Sequence, residues 1–229
     1  MRSVLTSILL ACAALPAAAD PVVVELFTSQ GCSSCPPADA MLAEMTGDEG
    51  VIPLSLHVNY WDWIGWKDTF AHPAFTARQY AYAAADGSST VYTPQFVVGG
   101  RDVIAGPSGV ALMKAVEAHE DATGDVLRIA STPEGRKVMA MPVAGVAEAE
   151  LILVTYQPRA EVRILHGENA GRDVTYHNVV RDWRSLGAWD GTETETMLPD
   201  APGGMRQVVL VQEIADGKPG TILGAVRAD

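Results

Sequence analysis

The chain has 229 residues, 48% of them hydrophobic and 19% charged, with a net charge of −12 at pH 7. That length allows one large domain or two modest ones, and the apolar fraction is enough for a sizeable core. The negative balance argues against nucleic acid and anionic membrane surfaces as partners, since neither attracts an acidic protein.

Residues 1–19 read as an export signal. Arg2 supplies a positive start, Val4 to Leu15 an apolar stretch, and Ala17-Ala18-Ala19 a small-residue cleavage site before Asp20. The apolar stretch is short for a membrane span and polar sequence follows it, so no stable membrane insertion is expected after cleavage. The expected location is periplasmic or secreted. A rival reading is a lipobox, Leu9-Leu10-Ala11-Cys12, which would anchor the protein through a lipid on Cys12. Cleavage after Ala19 removes Cys12 and leaves Cys32 and Cys35, and an even pair in an exported protein implies a disulfide. Closing so small a loop is worth only about 2 kcal/mol, against about 4.7 kcal/mol for a loop of about 100 residues. A working pair is therefore favoured over a structural staple.

The apolar run Val22 to Phe27 predicts a buried strand leading into Thr28-Ser29-Gln30-Gly31-Cys32-Ser33-Ser34-Cys35-Pro36-Pro37. Behind the cysteines, Met41, Leu42 and Met45 recur at helical spacing, and Pro36 and Pro37 suit a first helical turn. The pair thus sits at a strand-to-helix turn, with Cys32 nearer the turn and solvent. Unpaired N–H groups and the helix dipole there stabilise a thiolate. In this reading Cys32 attacks a substrate sulfur and Cys35 resolves the mixed disulfide.

A second strand is expected over Val51 to Val58, followed by an aromatic segment from Asn59 to Asp68 that holds Tyr60, Trp61, Trp63 and Trp66. This segment either walls a substrate groove, with Tyr60, Trp61, Asp62 and Trp66 as candidates, or plugs the space between strand and helix. Helical signals run from Pro73 to Ala85 and stop at Asp86-Gly87. Pro94 opens a strand that turns at Gly99-Gly100 into Asp102 to Gly106, a β-hairpin, and Ser108 can cap a further helix.

The order β-α-β-α-β-β-α, a Cys-x-x-Cys after the first strand and Thr93-Pro94 before the third resemble the thioredoxin superfamily over roughly residues 20–121. The resemblance implies that the Pro94 peptide bond is cis, lies beside the cysteines and exposes backbone for a bound thiol substrate. It adds Thr93 and Pro94 to Cys32 and Cys35 as candidate catalytic residues. The runs 31–39, His57 to Asp62, Gly65 to Asp68, Tyr92 to Gln95 and Gly167-Glu168-Asn169 further resemble the exported DUF1223 family, whose role is not established. This chain departs from that family's pattern at Asn59, where the pattern has an acid, so Asn59 receives no catalytic role.

Glu120 to Asp125 is polar and contains Gly124, a boundary signal. The expected organisation is a signal at 1–19, an α/β thioredoxin-like domain at 20–121 and an all-β, sandwich-like domain at 122–229. Candidate strands beyond the boundary are 126–130, 137–143, 149–157, 161–165, 174–183, 205–213 and 221–227. The polar groups around Glu168, Asn169 and His177 are read first as loop scaffolding.

Two further residues carry open alternatives. Glu25, in an apolar strand, is either a proton acceptor for the resolving thiol or an acid paired with Lys or Arg. His57 either polarises a thiol or ligand or is a hydrogen-bonded core histidine. A zinc site using both thiolates would need two more ligands, such as His57 and His72, and none is assigned. No Ser-His-Asp elbow, phosphate loop or dinucleotide fingerprint is present, and no cofactor is expected. The resulting expectation is an exported thiol–disulfide oxidoreductase with a protein thiol or disulfide substrate and a redox partner protein. Its alternative is a non-catalytic binding module whose cysteine pair is structural.

Overall fold

The computed structural model describes residues 20–120 and 124–229. The expected export signal, with Cys12, and part of the expected boundary lie outside the described residues. Strand β1 (Val22–Thr28), helix α1 (Pro36–Glu44), strand β2 (Val51–His57), helix α2 (Pro73–Ala85), the hairpin β3 (Gln95–Val98) and β4 (Asp102–Ala105), and helix α3 (Gly109–Glu120) follow in the expected order. Gly99 and Gly100 make the hairpin turn with φ of 58° and 75°, a region that glycine enters without a side-chain clash.

The remaining strands are β5 (Leu127–Thr132), β6 (Gly135–Ala140), β7 (Ala149–Arg163), β8 (Asp173–Trp189), β9 (Thr194–Met197), β10 (Arg206–Ala215) and β11 (Lys218–Arg227). Segments 149–157 and 161–165, expected as two strands, merge into the one strand β7, which holds Pro158 and stops at Arg163, short of Ile164 and Leu165. Pairing with β10 ends at Tyr156, so the missing N–H of Pro158 falls beyond the part of β7 that β10 covers. Strand β9 carries too short a pattern to be read from sequence.

The C-terminal strands do not build a sandwich of their own. An eight-stranded mixed sheet runs β11-β10-β7-β8-β2-β1-β3-β4, and β5-β6-β9 form a separate three-stranded sheet. Strand β2 is buried along its whole length and must be flanked on both edges. Strand β1 pairs with it in parallel on one edge, and β8 meets the other through Ser55 and Val179. Pro53 leaves that second edge short of a donor, and Asn178, at φ 46°, turns its Nδ2 to the Pro53 carbonyl at 2.8 Å.

Three layers result. Helix α2 covers one face, packing Phe75 and Tyr82 on Phe27, Leu54, Ile152 and Leu210. On the other face α1 and α3 cover β1 and β3 through Leu42, Leu112 and Val116. The small sheet covers the far end of that face, setting Leu127 and Val138 against Leu151, Leu153 and Val209. Sandwich-like packing is therefore present, but its larger layer is the sheet that the N-terminal half also uses.

Candidate functional site around the cysteine turn

Cys32 and Cys35 form a disulfide with Cα atoms 5.4 Å apart. Cys35 is the N-cap of α1, and Pro36 and Pro37 fill the positions where a missing N–H costs nothing. The turn before the helix is closed by Cys32 N–H on Ser29 O at 3.1 Å and Cys35 N–H on Cys32 O at 3.3 Å. Ser33 and Ser34 are exposed, but Cys32 is only 1% exposed and Cys35 0%. Cys32, expected nearer to solvent than Cys35, is thus almost as deeply buried as its partner.

The loops around the turn come from both halves of the chain. The aromatic segment lies against Gly31, where a Cβ would meet Trp61 Cβ and Ile64 Cδ1 at 3.2 Å, a tight approach for any side chain. Trp66 Nε1–H donates to Gln30 Oε1 at 2.8 Å. The loop between β7 and β8 sends Asn169 Nδ2 to the carbonyls of Gln30 at 3.0 Å and Cys32 at 2.9 Å. Thr93 completes the surround. Trp61 Nε1–H donates to Thr93 Oγ1 at 2.8 Å, Ser34 Oγ–H reaches Thr93 O at 3.4 Å, and the Thr93–Pro94 bond is cis. Asp62 accepts from Asp68 N–H at 3.1 Å, and Tyr60 donates to Gln79 at 3.1 Å. Trp63 is left 81% exposed.

Below the turn lies a buried polar cluster. His57 Nδ1 and Asp68 Oδ2 are 2.7 Å apart, both side chains fully buried, and the same oxygen accepts from Gln30 N–H at 2.7 Å. The His57 ring meets Phe70 and Tyr176 edge-on, at 5.2 and 4.8 Å between ring centres. Burial works against the Asp68 carboxylate, yet the His57 ring and the N–H groups of Gln30 and Phe70 outweigh it and hold the group below the usual range. Asp39, on the first turn of α1, accepts from Thr28 Oγ at 2.8 Å. Burial pushes its carboxyl up to about 7, although the His57 ring and the Thr28 hydroxyl pull the other way. This residue and Asp68 were not singled out from sequence.

Glu25 is elsewhere. It lies on the α2 side of β1, where Arg78 Nε and Nη2 hold its two oxygens at 2.6 and 2.9 Å, and Tyr82 OH donates at 2.5 Å. Arg78 in turn stacks on Trp183, 3.8 Å from the ring centre. This is the paired-acid alternative. His57 and His72 are each engaged, His57 with Asp68 and His72 Nδ1 in capping α2 through Ala74 N–H at 3.2 Å. The structure therefore brings Cys32, Cys35, Thr93, Pro94, Trp61 and Trp66 around one turn, with His57 beneath it. It also gives Asn169, first read as loop scaffolding, a direct hold on that turn.

Comparison with known proteins agrees with this architecture. The crystal structure of protein AGR_C_4864 from Agrobacterium tumefaciens is 32% identical, with a TM-score of 0.79 over 91% of this chain and 94% of that one. HBP35 of Porphyromonas gingivalis is 18% identical, with a TM-score of 0.61 over 92% of this chain and 75% of that one, a likeness of fold alone. No curated protein matches the sequence. The family model described as "Protein of unknown function (DUF1223)" matches residues 23–212, and the chain belongs to that family.

Proposed function

We propose that this protein is an exported thiol–disulfide oxidoreductase for protein substrates, built on a thioredoxin-like N-terminal half. The observation that carries the reading is the placement of the Cys32–Cys35 disulfide at the start of α1, with the Thr93 carbonyl beside it. The strand order β2-β1-β3-β4, with β1 and β2 parallel and β3 and β4 antiparallel, fits that architecture. A substrate thiolate attacks Cys32 Sγ, the disulfide breaks, and Cys35 leaves with the bonding pair and takes up a proton. A second substrate thiolate then attacks the substrate sulfur of the mixed disulfide and releases Cys32. The substrate loses two electrons and the cysteine pair gains them; the reverse sequence makes Cys32 the nucleophile and Cys35 the resolving thiol. The reaction needs no cofactor. Thr93 and Pro94 would position the substrate backbone, and the exposed Ser33 and Ser34 mark the approach.

The burial of both cysteines favours a second reading, a binding module with a structural disulfide. Equilibration of the mature protein in glutathione buffers separates the two. A reduction potential between about −120 and −270 mV supports exchange, and one below about −300 mV marks a structural bond and removes the first reading.

A further inference from the structure

The exchange chemistry requires a group that takes the proton of the Cys35 thiol, and the sequence offered Glu25 for this. Both oxygens of Glu25 are held by Arg78 and Tyr82. Both oxygens of Asp68 are also taken, Oδ2 by His57 and Gln30 N–H and Oδ1 by Phe70 N–H. Asp39 differs. Its Oδ1 accepts from Thr28, whereas its Oδ2 is buried with no hydrogen-bond partner among the described residues. A buried carboxyl oxygen without a donor costs far more as an anion than as a neutral acid. Asp39 follows Cys35 by four residues on α1, so the two share a helix face, and its N–H donates to Cys35 O at 3.1 Å.

We infer that Asp39 takes up the Cys35 proton during exchange and that the His57–Asp68 pair positions and tunes it. This rests on the oxidoreductase reading and deepens it. When Cys32 carries a mixed disulfide, the Asp39 carboxylate removes the proton from Cys35. The Cys35 thiolate then attacks Cys32 Sγ, the bond between Cys32 and the substrate sulfur breaks, and the substrate departs as a thiolate. The groups facing Asp39 are Thr28 from β1, His57 from β2, Asp68 from the aromatic segment and Tyr176 from β8, whose own neighbour is Arg172. His57 is the one of these that can bring positive charge. Its Nδ1 is fixed by Asp68, and its Nε2 is buried without a partner among the described residues, so the ring is held in place beside Asp39 from one side only. The raised proton affinity of Asp39, from burial first, places its titration where a thiol can use it.

The test uses the reduced mature protein and glutathione disulfide as probe, with the rate of mixed-disulfide resolution followed from pH 5 to 9. In the wild type that rate should rise through about pH 7, the titration of Asp39. Asp39→Asn keeps the Thr28 contact and should slow resolution about 100-fold at pH 7, moving the rise towards the ordinary thiol value of about 8.5. Asp39→Glu should restore part of the rate, His57→Gln should shift the midpoint, and Glu25→Gln should leave the profile in place. An unchanged profile in Asp39→Asn, with normal exchange in the wild type, overturns this inference alone. A wild-type pair that forms no mixed disulfide overturns the oxidoreductase reading and this inference together.

Discussion

The side-chain amide of Asn169 holds the Cys32 carbonyl at 2.9 Å and the Gln30 carbonyl at 3.0 Å, so a loop from the C-terminal half fixes the backbone of the cysteine turn. Asn169 is 2% exposed, and Asn169→Ala would take a donor from two carbonyls beneath the covering loops. The expected loss is about 2–3 kcal/mol of stability by urea denaturation, with faster reduction of the disulfide by dithiothreitol. Unaltered reduction kinetics would mean that the loop does not restrain the turn.

The Glu25–Arg78 pair should matter for folding and not for redox chemistry. Arg78→Ala leaves a fully buried carboxylate without its cation, at a cost of about 3–5 kcal/mol. Glu25→Gln should cost less, because the amide is neutral. Neither change should move the reduction potential measured in glutathione buffers. A moved potential would return Glu25 to the list of working residues.

Asp39 also gives the fold a pH dependence. Its carboxyl titrates near 7 in the native state and at the ordinary 3.8 when unfolded, so between these values the native state retains a proton that the unfolded chain releases. This contribution to stability is greatest below the unfolded value, falls as pH rises through the window and levels off above about 7. Asp39→Asn should abolish it, matching the wild type near pH 4 and gaining up to about 4 kcal/mol at pH 8. Urea denaturation of both proteins at the two pH values checks the sign.

Trp63 is 81% exposed, on the aromatic segment whose Trp61 and Ile64 lie against Gly31. Trp63→Ala should keep stability within about 0.5 kcal/mol. With a protein disulfide as substrate, it should raise KM several-fold at unchanged reduction potential. Equal KM values would leave the aromatic segment as packing alone.

Reducing the disulfide should cost little in stability, because the closed loop is short. The chain-entropy cost is about 2 kcal/mol, a fall in Tm of roughly 4–8 °C in a chain of this size. Calorimetry with and without reductant gives the value. A much larger fall would favour a structural role.

Strand β1, the Cys-x-x-Cys turn, helix α2 and the Gly99-Gly100 hairpin were legible in the sequence because their signals are local. Apolar run length, proline at a first turn, helical period and glycine at positive φ each act over a few residues. The single strand β7 was less legible, since Pro158 reads as a break until the position of β10 shows which part of the strand is covered. The joining of both halves in one sheet depends on which edge of β2 lies open, and no local pattern encodes that.

By itself the sequence determined that two cysteines stand at a strand-to-helix turn, with Thr93-Pro94 opening a hairpin and an aromatic segment between them. Only the tertiary structure decided what surrounds the pair. The sequence singled out Glu25, in its apolar strand, and passed over Asp39. Glu25 is neutralised by Arg78, 53 positions away, whereas Asp39 keeps a buried oxygen without a partner among the described residues, within reach of the His57 charge. Asn169 reaches the Cys32 carbonyl across 137 positions, in a turn whose two cysteines are both buried. Ionisation and accessibility depend on neighbours in space, and those neighbours are set by how the sheet closes over its core.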